Sequence, residues 1–148
     1  MEDKKYILSF DVSTSSIGIC LFEDLGDYGK LLLLTHFEPK VKENTQIERL
    51  NAKADLCVEE MIEDFSTYNI QRIIVEKPLL NSNSQKTAQV LAMFNEYLTV
   101  KISAAFNIPV DFITVHDARK YALPELLGEN GKMMSDFPKT VAGSKKSN

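Results

Sequence analysis

The sequence predicts an α/β protein built on a five-stranded mixed sheet, in the order β-β-β-α-β-α-β, flanked by helices. Three observations predict it. Three β-rich segments stand together within residues 6–37, separated by short polar turns. Two long helical patterns follow, and each leads into a short strand-forming run. The 148 residues are 44% apolar and 26% charged, enough for one domain with a sizeable core.

Taken in order, Tyr6–Phe10 is the first strand and Asp11 stands at its end. Ser13–Ser16 is a small-polar turn, and Ile17–Phe22 returns as the second strand of a hairpin. Gly18, early in that strand, marks a bend or a close backbone approach. Asp24–Lys30 has turn chemistry. Lys30–Phe37 is the third strand, ended by Pro39. Asn44 or Thr45 caps a helix, and Glu48 follows Thr45 at the spacing of a capping box. Ile47, Leu50, Ala54, Cys57, Met61 and Phe65 recur at helical spacing, while Lys53 and its charged neighbours make the solvated face.

Ile70–Val75 is mostly apolar, as in a strand buried within a sheet, and ends in Glu76-Lys77-Pro78. Leu79–Ser84 is a loop, and Ser84 or Asn83 caps a helix from Gln85 to about Phe106. That helix is apolar on two faces. One carries Leu91, Leu98 and Ile102, the other Val90, Phe94 and Tyr97, so it packs on the sheet and on something else, a second subunit being the candidate. Pro109–Val115 is the fifth strand, and His116–Tyr121 opens a short helix. One domain therefore spans 1–130. Residues 131–148, with a Ser/Lys-rich end, are expected to form a disordered tail.

The net charge of −4 argues against a generally basic nucleic-acid coat and leaves room for a local basic patch. Cys20 and Cys57 lack metal-ligand spacing and sit in apolar patterns, as buried reduced thiols do. The N-terminus runs straight into a strand without a leader pattern, and no apolar run approaches the ~20 residues of a membrane span. The expectation is a cytoplasmic protein (in the host cytoplasm if viral) with no membrane partner.

The chemistry rests on two acids. Asp11 ends the first strand and Glu76 ends the fourth. If those strands are parallel neighbours, ~4.8 Å apart, the carboxylates converge. Like charges so placed repel unless a cation sits between them. Mg²⁺ or Mn²⁺ takes such oxygen ligands, and two ions ~3.5–4 Å apart can activate a water and stabilise the leaving oxygen of a phosphodiester. Taken singly, each acid has a plainer reading: Asp11 as a turn former, Glu76 as a strand-end surface residue.

The order of these pieces resembles the RuvC-like branch of the RNase H-like superfamily, the Holliday-junction resolvases and their phage relatives. The resemblance spans about Lys5 to Leu126. It rests on Asp11 followed by the Ser13–Ser16 turn and Gly18, on Glu76 in IIVEKPLL, on the long helix within NSNSQKTAQVLAMFNEYL, and on ITVHDARKYALPE. It implies an RNase H-like fold and a Mg²⁺-dependent endodeoxyribonuclease of the crossover-junction type. Asp11 and Glu76 would be its catalytic, metal-binding residues and branched DNA its substrate in recombination or replication. A homodimer is implied because four-way junctions are nearly two-fold symmetric. One departure stands out. The family carries further acids on a C-terminal helix, and after Gly131 only Asp136 occurs here. The chain is then a fragment, has lost that helix, or uses a substitute, and Asp117 is the candidate outer ligand.

Candidate DNA contacts are Lys77, then Asn81, Asn83, Ser84 and Lys86 at a loop-to-helix start, where backbone N–H groups favour phosphate. Arg119 and Lys120 follow the fifth strand, and Leu79 and Leu80 are candidate wedges against bases. Each has an ordinary packing or solvation reading beside this one. His36 reads as structural and remote from the acids, His116 as a hydrogen-bonded structural residue. The serines have no triad partner and read as turn formers. Two alternatives remain: a nucleotide-binding fragment of the actin-like ATPase or sugar-kinase type, and a catalytically inactive RNase H-like domain that binds nucleic acid.

Overall fold

The structure, a computed structural model, describes residues 3–78 and 84–117. They fall into a unit that ends at Ile113 and a second that begins at Thr114. The first unit holds β1 (Tyr6–Val12), β2 (Ile17–Asp24), β3 (Gly29–Phe37), α1 (Gln46–Phe65), β4 (Ile70–Glu76), α2 (Gln85–Phe106) and β5 (Val110–Ile113). The sheet order is β3-β2-β1-β4-β5. β1 and β3 run antiparallel to β2, while β4 lies parallel to both β1 and β5. The expected mixed five-stranded α/β architecture is the observed one.

Strand alternation decides which face carries the core. Leu8, Phe10 and Val12 of β1 are buried, as are Ile17, Ile19 and Leu21 of β2 and Ile73 and Val75 of β4. Leu50, Ala54, Cys57, Met61 and Phe65 of α1 and Phe94, Leu98 and Ile102 of α2 join the same cluster. Both helices thus cover one face of the sheet. The intervening residues, Ser9, Asp11, Gly18, Cys20, Ile74 and Glu76, form the other face and are half-buried or exposed.

Caps set the helix ends. The Thr45 hydroxyl accepts from the Glu48 N–H at 3.2 Å, and the Glu48 carboxylate accepts from the Thr45 N–H at 3.3 Å, so the capping box forms as its spacing predicts. Ser84 caps α2 by accepting from the Thr87 N–H. Asn107 ends α2 in the left-handed conformation at φ 54°. The Ser103 hydroxyl then donates to the Ile108 carbonyl at 2.7 Å and turns the chain into β5.

The fifth strand is shorter than the sequence predicts. It covers Val110–Ile113, and Val115–Asp117 is already helical. The Thr114 hydroxyl starts this turn, accepting from the Asp117 N–H at 3.1 Å and donating to the Asp117 carboxylate at 2.7 Å. Glu76 ends β4 as expected, paired with Ile113, while Asp11, paired with Gly18, is followed by one further strand residue, Val12. The tail expected over 131–148 lies outside the described residues.

Candidate functional site

The site begins with a register. β1 and β4 run parallel with Phe10 paired to Val75, so Asp11 and Glu76 follow at the same height on neighbouring strands. Phe10 and Val75 face the core, so the next residue on each strand faces the opposite side. Asp11 is exposed and Glu76 half-buried. The two carboxylates the sequence singled out therefore share one face of the sheet.

Across the sheet, Asp11 pairs with Gly18, and Gly18 pairs with His36. A Cβ at Gly18 would stand 3.5 Å from the Asp11 Cβ. The missing side chain keeps the β3 side of Asp11 open. His36, read from the sequence as remote, shares this row and lies two strands from Asp11. Its Nε2 is 3.7 Å from the Glu38 carboxylate.

The turn after Asp11 is held by its own hydroxyls. Ser13 Oγ donates to the Ser16 carbonyl at 2.7 Å and accepts from the Ser16 N–H at 3.0 Å. This is the turn-forming role expected of the serines. Lys53 of α1 donates from Nζ to the Thr14 carbonyl at 2.6 Å, which ties helix to turn and brings a cation to the segment behind Asp11. A groove of about 400 Å³ opens beside this turn. Ser13, Thr14, Gln46, Lys86 and Thr87 line its polar part, with Val90 and Leu91 beneath.

The other expected contacts divide. Lys86 is exposed and lines the groove; Ser84 serves as the α2 cap. Lys77 turns toward β5. Its N–H donates to the Ile113 carbonyl at 2.8 Å, and its ammonium lies 5.8 Å from the Phe112 ring centre. Asp117 belongs to the second unit, where its carboxylate closes the Thr114 cap. Leu79, Leu80, Asn81, Asn83, Arg119 and Lys120 lie outside the described residues.

Two residues of the site were not singled out in the sequence. Lys53 stood among the charges of a solvated helix face. Asn95 stood inside an apolar stretch of α2, and it is 4% exposed, with its amide donating to the Glu76 carbonyl at 3.3 Å. A polar residue flanked by Phe94 and Leu98 was the available signal for Asn95.

The donor chemistry suits a hydrated hard cation. Among the described residues no three His, Cys, Asp or Glu side chains cluster as a metal cage. Asp11 and Glu76 supply two carboxylates, and Mg²⁺ is commonly held by one or two carboxylates with water and substrate phosphate completing its shell. No described helix is long and apolar enough to cross a membrane.

No family model matches the chain, and no curated protein matches it. Solved structures do. Thermus thermophilus RuvC in complex with a Holliday-junction substrate superposes with a TM-score of 0.59 and 14% identity, over 86% of this chain and 73% of that one. A second Thermus thermophilus RuvC structure gives 0.54 and 16%, over 78% and 67%. A ROK family transcriptional regulator, a homolog of the E. coli MLC protein, gives 0.50 and 20%, over 83% of this chain and 30% of its own. Identities this low speak for fold alone, and one fold hosts several functions. This chain has an RNase H-like α/β fold, the fold of RuvC.

Proposed function

We propose that this chain is a divalent-metal-dependent, structure-selective endonuclease that hydrolyses phosphodiesters in branched DNA, four-way junctions included. The observation that carries this reading is the pairing of Phe10 with Val75, which sets Asp11 and Glu76 side by side on one face. The likeness in fold to RuvC, solved on a Holliday junction, supports the substrate class.

In this reading Asp11 and Glu76 hold Mg²⁺ or Mn²⁺. When bound, the metal supplies charge stabilisation and an activated water for in-line displacement at phosphorus. The residues around it bind and orient. Gly18 keeps one approach to Asp11 clear. Lys86, at the start of α2, meets backbone phosphate along the groove beside Ser13 and Thr14, because an exposed cation at a helix N-terminus attracts anions. Lys77, Asn81, Asn83, Ser84, Arg119 and Lys120 are further DNA contacts in this reading. Two copies of the chain would cut the two nearly symmetric strands of a junction. The exposed part of α2 around Val100 is the surface offered for that dimer.

The test is cleavage of a synthetic four-way junction with and without Mg²⁺, comparing the parent with Asp11→Asn and Glu76→Gln. The reading requires metal-dependent cutting by the parent, lost in both variants while junction binding survives. Variants that cut as fast as the parent refute the site. A parent that binds junctions and never cuts makes the chain a non-catalytic RNase H-like domain, and ATP hydrolysis without cutting makes it a nucleotide-binding one.

A further inference from the structure

We propose that Asn95 is a positioning residue for Glu76, holding the metal-binding end of β4 in place from inside the core; this rests on the two-carboxylate reading above. β1 and β4 pair as far as Phe10 and Val75. The Glu76 carbonyl lies one step beyond that last pair, and it accepts from Asn95 Nδ2 at 3.3 Å. The other half of the same peptide unit, the Lys77 N–H, donates to the Ile113 carbonyl at 2.8 Å. The Glu76–Lys77 peptide is thus gripped on one side by β5 and on the other by α2.

The chemistry of the pair sets its direction. A carbonyl oxygen has no proton to give, so the amide must present its NH₂ end. Asn95 is 4% exposed and sits between Phe94 and Leu98, both in the core cluster. A buried amide in such surroundings needs its partner. Packing alone would be served by an apolar residue there. The amide instead ends at the backbone of the glutamate whose side chain faces the opposite side of the sheet. Held at both ends, that peptide restrains the Glu76 Cα at the end of β4, and the Cα is the root from which the carboxylate reaches toward Asp11.

The experiment measures Mn²⁺ binding to the full chain by titration calorimetry without DNA, beside thermal melting of the metal-free protein. Asn95→Leu keeps the branched outline, at a larger volume, and removes the donor. Asn95→Asp keeps the shape and sets an acceptor against the carbonyl. Asn95→Gln keeps an amide donor. The expected result is roughly ten- to hundred-fold weaker Mn²⁺ binding in the leucine and aspartate variants, as for removal of other outer-shell partners, with most of the affinity kept by Asn95→Gln. Unchanged Mn²⁺ affinity in a folded leucine or aspartate variant, with only the melting temperature lowered, overturns the proposal. So does equal loss in all three variants, which would mark a packing role. Glu76→Gln separates the two readings. If it weakens Mn²⁺ binding and the Asn95 variants do not, only the role of Asn95 falls. If Glu76→Gln binds Mn²⁺ like the parent, or the parent binds none, the two-carboxylate site and this inference fall together.

Discussion

Asp11 and Glu76 leave neighbouring parallel strands at the same height, one residue past the paired Phe10 and Val75. That registry places two like charges on one face, and a divalent cation is the natural counter-charge. Asp11 is exposed, so Asp11→Asn should leave metal-free stability within about 0.5 kcal/mol of the parent. A ligand that binds only the folded state raises the melting temperature. Melting curves with and without Mg²⁺ should therefore show a shift for the parent and almost none for Asp11→Asn. An equal shift in both would place the cation elsewhere.

Gly18 separates steric access from folding. A methyl at this position meets the Asp11 Cβ at 3.5 Å, an ordinary contact. Gly18→Ala should fold normally and gain up to about 1 kcal/mol, because glycine is a poor strand residue. Gly18→Leu fills the space between Asp11 and His36, and Mn²⁺ affinity should fall roughly ten-fold. Calorimetric titration of the two variants checks the contrast.

Lys53 joins α1 to the turn behind Asp11 across 39 residues of sequence. Lys53→Met keeps the aliphatic stem and removes the donor. The loss of a part-buried, charge-assisted hydrogen bond should cost about 1–2 kcal/mol in denaturant unfolding. Amide exchange over Ser13–Ser16 should accelerate more than exchange in β4. Uniform acceleration would mean that Lys53 merely supports global stability.

Cys57 is buried in α1, and burial, reinforced by nearby Glu60, pushes its thiol pKa up to about 12 from an ordinary 9.0. Below pH 9.0 both folded and unfolded chains hold this proton, and the stability it protects is fully present. Between 9.0 and about 12 the unfolded thiol ionises while the folded one does not, so stability falls as pH rises. The slope from this group is at most about 1.4 kcal/mol per pH unit. Cys57→Ala should flatten the alkaline stability profile by that amount. A thiol reagent near neutral pH should modify half-buried Cys20 well before Cys57.

Much of the fold was legible because its signals are local. Alternating apolar residues marked β1 and β2, and Thr45 with Glu48 marked the start of α1 through a bond spanning three residues. β5 was overextended because Val115 is a strand former by propensity, while the Thr114 hydroxyl started a helical turn at that point. The α2 pattern, apolar on two faces, was read as one face for the sheet and one for a partner. In the structure Phe94, Leu98 and Ile102 are buried, and Val90, Met93 and Tyr97 pack against the same core.

The sequence by itself determined the order of strands and helices, and that one acid belongs to the first strand and one to the fourth. Tertiary structure decided that those strands are parallel neighbours in the register that makes the acids companions. It also decided that Lys53 reaches the turn and that Asn95 reaches the backbone of Glu76. Helical and strand periods depend on neighbours within a few residues, whose geometry the chain's covalent repeat dictates. Strand partners and cross-element hydrogen bonds depend on which surfaces meet once the apolar faces are buried. Nothing in the spacing of Asn95 from Glu76, or of Lys53 from Thr14, encodes that meeting.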